Sequence, residues 1–461
     1  MAKAPNKTED LIQQTGEKIE DGEFPFQIYS DESIYQEELR RIFSRTWNYI
    51  GHTSEFQEPG DYARRYIAGD PYILTYDRDG EYHALLDACK HRGAQFCTAD
   101  KGNTTHFRCP YHGWTYRNDG ELQGMPYKEE SYQDLDTDEM GLEKANVEIY
   151  SGLIFGRLVD EGPTLEEYLG DFKWYLDLLC NITEEGMTVV ADPHKSIAPH
   201  NWKTPAQNFG GDNYHVLATH QAVFESEDLD EAGPWKKVPS ARERKGDYNH
   251  LAVTENGSLS FMINYDTDTH LGYPDEITEH LNPDLSEEQK ELLSQSVYYF
   301  STLYPNININ HAISGGGWGG PWVQIRTFVP RGPSETEIMS WWLVPRELAD
   351  DEEFMERAYH GFETTSPGGT FESDDLSVWA GIAESTDSVT MELNETVGNM
   401  EQGLEGMCDD LETVDDPMFG PAEVQRFGGY YSEAGARNHL KHWHRYMSMG
   451  RPETNGSGDD E

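Results

Sequence analysis

Cys89-Lys90-His91 and Cys109-Pro110-Tyr111-His112, with 17 residues between them, each offer one thiolate and one imidazole. Two mirrored Cys/His pairs suit a [2Fe–2S] centre in which two cysteines hold one iron and two histidines the other. Neutral imidazoles lift the potential of such a centre to between about −150 and +300 mV. The competing reading is a structural Cys2His2 zinc site, although zinc fingers usually separate their ligands as C-x-x-C and H-x3–5-H. Gly93, Pro110 and Gly113 supply residues for the tight turns such loops need. Cys97 lies between the loops and reads as a small buried hydrophobe. Trp114 is expected to pack beside the centre, while Cys180 and Cys408 have no ligand partner at useful spacing.

The surroundings of these loops are β-rich. Tyr62–Ile67, Tyr72–Tyr76 and Tyr82–Leu86 read as strands, with Asp79-Gly80 and Asp119-Gly120 as hairpin turns. Upstream, residues 1–28 are polar and read as poorly ordered at the start. A helix capped by Asp31 runs to Thr46, its face formed by Tyr35, Leu39, Ile42 and Phe43. Downstream, Gly162-Pro163 marks a boundary, and Thr164 opens a helical pattern. The remainder reads as mixed α+β, with helical windows near 164–180, 205–220, 284–297, 350–361 and 432–446. Strand windows lie near 250–265, 297–310, 321–329 and 337–344. The glycine run Gly315–Gly320 is a turn and not a phosphate cradle, since no Lys-Ser/Thr follows it. Glu225–Glu231 and Asp409–Asp416 read as exposed acidic loops, and Asn455–Glu461 as a disordered tail.

A second constellation begins at Asn208-Phe209-Gly210-Gly211-Asp212-Asn213-Tyr214-His215 and continues to His220. Residues five apart on an ideal helix point about 140° from each other. His215 and His220 therefore converge only where the helix widens or ends between them, as at single π-type turns. Two ordinary core histidines are the alternative. Far downstream, Phe371-Glu372-Ser373-Asp374-Asp375 opens a helix after Pro367-Gly368-Gly369 and offers a carboxylate. Two histidines and one carboxylate form the facial triad of non-haem Fe(II) oxygenases. Spacing alone does not choose between Asp374 and Asp375. Asp212, three residues before His215, is placed to accept from a ligand imidazole.

Together these residues resemble the large (α) subunit of Rieske non-haem iron ring-hydroxylating oxygenases, such as naphthalene and biphenyl dioxygenases. The resemblance spans residues 40–390 and includes Gly51-His52-x-Ser54-Glu55, Pro59-Gly60-Asp61-Tyr62, Cys109–Trp114, Asn208–His220 and Gly369–Trp379. It implies an α+β chain: an antiparallel-β Rieske domain over 47–160, then a catalytic domain over 161–450 whose curved antiparallel sheet is covered by helices. Residues 1–46 would form a helical segment packing on the catalytic domain, and 451–461 a disordered tail. By the resemblance, Cys89, His91, Cys109 and His112 hold the [2Fe–2S] cluster, while His215, His220 and Asp375 hold the mononuclear Fe(II). Asp212 would link His112 of one subunit to His215 of the next in a head-to-tail homotrimer, or in an α3β3 assembly with a small β subunit. Asn208 joins Asp212 as a catalytic candidate, and Phe209, Asn306, Asn308 and Phe371 are candidate pocket residues. Such a pocket, mostly apolar with a few amides, suits an aromatic guest.

The activity implied is a multicomponent dioxygenase of aromatic catabolism. It adds both atoms of O2 to one ring face to give a cis-dihydrodiol. Electrons arrive from NAD(P)H through a reductase, with or without a ferredoxin. A Rieske monooxygenase or O-demethylase would use the same metals. A pure Rieske electron carrier needs only one small domain, and the roughly 300 residues after Val159 argue against it.

The chain has 461 residues, with 85 Asp+Glu against 35 Lys+Arg, a formal net charge of −50. That excess repels nucleic-acid phosphates and anionic lipid, so neither is an expected partner. Aromatics make up 12% of the chain, with 11 Trp and 26 Tyr, which argues for a folded core over disorder. Five cysteines make no disulfide framework. The N-terminal sequence has no apolar signal segment and no apolar run reaches membrane length, so a cytoplasmic protein is expected. The acids read as a solvated surface adapted to high salt, as in a halophile, where screening removes self-repulsion. Folding or assembly should then weaken as ionic strength falls. Full activity and unchanged assembly in dilute buffer would contradict that reading.

Overall fold

Short alternating strands between Asn48 and Arg157 pair into a seven-stranded antiparallel sheet. Its order is Asn48–His52, Leu153–Arg157, Lys144–Tyr150, Tyr82–Leu86, Asp70–Tyr76, Asp61–Ile67 and Lys101–Asn103. A second sheet holds His106–Arg108, Thr115–Arg117 and Leu122–Gly124. Both expected hairpins form. Asp77 closes the first by accepting from the backbone N–H groups of Asp79 and Glu81 at 2.9 and 3.0 Å. The motif Gly51-His52-x-Ser54-Glu55 is a capped turn. His52 Nδ1 accepts from Ser54 N, Glu55 accepts from His52 N, and the Glu55 carboxylate also takes Arg65 Nη2 at 2.5 Å.

The computed structural model describes residues 7–224, 249–263, 268–313, 321–404, 411–427 and 432–452. The expected loops at Glu225–Glu231 and Gly315–Gly320, Cys408, Asp409, Asp410 and the tail Asn455–Glu461 lie outside them. The chain forms two compact units: Leu39–Leu165, and Glu166–Gly450 together with the segment up to Glu38. The divisions thus fall at Glu38 and Leu165, where the sequence suggested 46 and 160. No helix among the described residues is long and apolar enough to cross a membrane.

The larger unit is built on a ten-stranded antiparallel sheet whose central strands are Asn249–Val253, Gly257–Ile263, Ser296–Leu303, Ile307–Ile313, Pro321–Gly332 and Glu335–Pro345. Helices Lys203–Phe209, Glu352–Thr364, Thr370–Thr386 and Ala434–Ser448 belong to the same unit. This is the curled sheet with helices that the resemblance implied.

Two local readings change. The polar start of the chain carries a helix, Lys7–Lys18, because Leu11, Ile12 and Thr15 fall on one face and bury against helix Ala434–Ser448. The single helix read over 31–46 is instead Glu32–Glu38 followed by a π-turn over Leu39–Phe43, where Ser44 N reaches Leu39 O at 3.2 Å. Asp31 does cap it, accepting from Ile34 N at 3.2 Å.

The last residue of that helix, Glu38, is fully buried. Its Oε1 accepts from Lys203 Nζ at 2.5 Å and Trp443 Nε1 at 2.6 Å, and its Oε2 accepts from Trp202 Nε1 at 2.8 Å. Burial drives the Lys203 ammonium pKa down, and the Glu38 carboxylate opposes that shift. Removing one partner of a buried pair leaves the other charge uncompensated. Lys203→Met should therefore destabilise the larger unit by about 3–5 kcal/mol. Denaturant unfolding followed by tryptophan fluorescence measures this, with visible cluster absorption reporting on the other unit. An unchanged midpoint would show that the pair contributes no stability.

Candidate metal centres

The two Cys/His loops are built as the same turn. Cys89 N donates to Ala94 O and Gly93 N returns to Cys89 O. Cys109 N donates to Trp114 O and Gly113 N returns to Cys109 O. Both closing residues are glycines with φ near +75° (74° and 77°), in the left-handed region that other residues rarely adopt. The sulfur-bearing residues are buried at 2% exposure, and Asp87 anchors the far end of the first loop by accepting from Phe96 N at 2.6 Å. His91 stacks flat on Trp114 at 5.1 Å, and the His91 and His112 rings lie 4.5 Å apart. His91 Nδ1 is buried without a hydrogen-bond partner, which fits a nitrogen reserved for a metal. Tyr116, which the sequence reading did not single out, places its hydroxyl 3.4 Å from Cys89 Sγ and accepts from Lys90 N. Hydrogen bonds to cluster sulfur tune the potential of such centres. Cys97 is a buried hydrophobe, and burial pushes its thiol up to about 12.

The second site forms where a helix stops. Lys203–Phe209 ends at Gly210-Gly211, and a short turn of helix, Val216–Thr219, runs between His215 and His220. The two histidines are the N-cap and C-cap of this one regular turn, in which Thr219 N bonds to His215 O and His220 N to Val216 O, so the helix neither widens nor ends between them, and their rings still come within 5.4 Å. A close approach fixes the break: a Cβ on Gly435 would lie 1.8 Å from Gly210 O. Asp212 Oδ1 accepts from Tyr214 N and His215 N, and its carbonyl holds His215 Nδ1 at 2.5 Å. With Nδ1 held, His215 Nε2 faces Asp375 Oδ1 at 3.6 Å, and His220 Nε2 faces the same oxygen at 3.4 Å. Among the described residues, this trio is the one group of three or more donors gathered within 4.8 Å. Asp374 lies behind His220, with Oδ2 3.4 Å from Nδ1. Burial opposes protonation of His215, but Asp212 and Asp375 outweigh it and raise the imidazole pKa.

The other candidates divide. Asn208 Nδ2 lies 3.4 Å from His215 Nε2, and Phe371 meets the His220 ring at 5.2 Å. Phe209 stacks on Phe328 and sits edge-on to Trp379. Asn306 and Asn308, read as amides on the pocket wall, bond within the sheet instead: Asn306 donates to Phe328 O, and Asn308 donates to Ser301 O and Asn310 Oδ1. Both are buried, Asn308 on the central strand Ile307–Ile313 and Asn306 in the turn before it, where an unpaired amide would be costly. The sequence reading also missed Arg326 and Glu372, a buried ion pair one helical turn before Asp375. Burial pushes the Glu372 carboxyl up, Arg326 pulls it back, and Asp375 adds to the rise.

A family model described as the Rieske [2Fe–2S] domain matches residues 46–146, and one described as the ring-hydroxylating α subunit (catalytic domain) matches residues 165–448. The chain belongs to the ring-hydroxylating α-subunit family. This α subunit is similar to that of benzene 1,2-dioxygenase from Pseudomonas putida, 31% identical over 433 residues covering 91% of this chain and 90% of that one. It is also similar to the α subunit of N,N-dimethyl phenylurea N-demethylase from a Sphingobium species, 32% identical over 387 residues covering 82% and 83%. Among solved structures, naphthalene 1,2-dioxygenase from a Rhodococcus species bound to indole superposes with a TM-score of 0.86 at 33% identity, covering 96% and 98%. The α subunit is thus a Rieske-type oxidoreductase of the dioxygenase class, with a [2Fe–2S] domain and a catalytic domain for mononuclear iron. The family works with a reductase and ferredoxin, taking electrons from NAD(P)H, on aromatic substrates and O2.

His215→Ala should abolish the chelatable mononuclear iron and leave the visible absorption of the cluster intact. Loss of both signals together would contradict two separate centres.

Proposed function

We propose that Cys89, His91, Cys109 and His112 hold the [2Fe–2S] cluster and that His215, His220 and Asp375 hold the catalytic iron of an aromatic-ring dioxygenase giving a cis-dihydrodiol. The observation that carries the iron assignment is the convergence of both Nε2 atoms on Asp375 Oδ1, with each Nδ1 turned toward an aspartate oxygen. Bound at these sites, the cluster supplies single electrons and the iron activates O2. The residues do the rest. Asp212 fixes the tautomer and tilt of His215, and Asp374 is placed to do the same for His220. A single carboxylate and two imidazoles leave coordination positions open. Phe209, Phe371 and Trp379 lend aromatic walls that favour a flat apolar guest and exclude water.

We further infer a head-to-tail trimer, with or without a small β subunit, in which Asp212 links His112 of one copy to His215 of the next, working in the cytoplasm. The similarity to an N-demethylase α subunit favours one second reading, oxidative N-demethylation by the same centres.

Oxygen uptake and product mass across benzene, biphenyl, naphthalene and an N,N-dimethyl phenylurea, with a generic electron donor, test the activity. The dioxygenase reading expects a product two oxygens and two hydrogens heavier than an arene. Demethylated urea with no arene product would favour the second reading. Asp212→Ala should keep both metals and lose turnover. Normal reduction of the iron by the cluster in that variant would remove Asp212 from the electron path.

A further inference from the structure

Arg326 lies on the central strand Pro321–Gly332 at 2% exposure and reaches three elements of the iron site. Its Nε donates to Asn308 Oδ1 at 3.0 Å on the neighbouring strand. Its Nη1 pairs with Glu372 Oε2 on helix Thr370–Thr386, three residues before Asp375. Its guanidinium lies over the Phe209 ring at 3.9 Å, and Phe209 ends the helix whose previous residue is Asn208, beside His215. One planar cation therefore ties the segment bearing Asp375 to the segment leading into the histidines. Glu372 and Asp375 share a helix face and are both buried, so two carboxylates stand close in a poorly solvated place. Glu372 Oε1 has no hydrogen-bond partner, and Arg326, which bonds Oε2, is the largest charge that compensates that carboxylate. A lysine at this position would keep the charge but lose the fork that serves Asn308 and Glu372 together.

We propose that Arg326 is a positioning residue for the mononuclear iron: through Glu372 and Phe209 it sets the spacing between Asp375 and the two histidines. The inference rests on those three residues being the iron ligands. Residues that hydrogen-bond metal ligands typically alter metal affinity by about 10–100-fold, and Arg326, acting through Glu372 and Phe209, is expected at the low end of that range.

The test is an Fe(II) titration of the whole chain, with its cluster in place, against a chromogenic chelator. Wild type, Arg326→Lys and the double variant Arg326→Met/Glu372→Leu are compared. The double variant removes the buried charges as a pair, a change that folded proteins often tolerate. Thermal melts and the cluster spectrum check that each variant is folded at the titration temperature. Wild type is expected to bind one chelatable Fe(II), and both folded variants to bind it at least about tenfold more weakly. Folded variants that match wild type would overturn the positioning role. So would a normal double variant beside a weakened Arg326→Lys, since Arg326 would then merely neutralise Glu372. Wild type that takes up no chelatable Fe(II) would instead sink the ligand assignment itself. Should the double variant not fold, Arg326→Lys alone decides, by the same tenfold criterion.

Discussion

One oxygen, Oδ1 of Asp375, lies 3.6 Å from His215 Nε2 and 3.4 Å from His220 Nε2, and much of the larger unit serves to keep it there. Two imidazoles and a carboxylate that converge on one point are costly to bury together unless the surrounding chain holds them. The chain must therefore hold them by force from outside. A glycine pair ends the helix before the histidines, and the backbone of Gly435 presses against that end. Asp212 and Asp374 occupy the outer nitrogens of the two rings. Arg326 binds the first turn of the Asp375 helix to the sheet.

The smaller unit solves a related problem by repetition. Each Cys/His loop folds back on its own cysteine through a left-handed glycine four residues later. The same locally closed turn made twice presents two sulfurs and two imidazoles, and the two loops then meet where the His91 and His112 rings lie 4.5 Å apart. Trp114 and Tyr116 then anchor the ring of His91 and the sulfur of Cys89. Local chemistry governs one centre and tertiary packing the other.

That contrast explains what could be read in advance. The Rieske-domain loops were legible because their Cys/His pairs, glycines and hairpins lie within one short stretch. The central strands and most longer helices of the larger unit followed from apolar periodicity, but the short strands Met187–Val189, His194–Ala198 and Glu423–Phe427 did not, and Leu411–Val414 forms a strand inside a stretch read as an acidic loop. The π-turn at Leu39 left no such trace, and the helix Lys7–Lys18 was obscured by its polar exposed face. At the iron site, residue spacing left Asp374 and Asp375 open. Only their position around His220 distinguishes them, one at Nδ1 and one at Nε2. Asn306 and Asn308 carried the right chemistry for a pocket wall, but the amide of Asn306, in the turn before the strand, and that of Asn308, on it, bond to sheet carbonyls. Arg326 and Glu372 sit 46 residues apart, so their pairing had no signature in the linear chain.

The charge of −50 is separate from all of this. Of 85 acidic residues, Asp212, Asp374 and Asp375 face His215 and His220, and the proposed metal site draws on few others. The central claim is that one chain carries a two-iron cluster and a separate single iron. Mössbauer spectroscopy of the 57Fe-enriched, reduced protein tests it most directly. The account predicts three irons per chain, two in a coupled Rieske spectrum and one as isolated high-spin Fe(II), in a 2:1 ratio of areas. A spectrum holding the cluster alone, from protein fully loaded with iron, would contradict it.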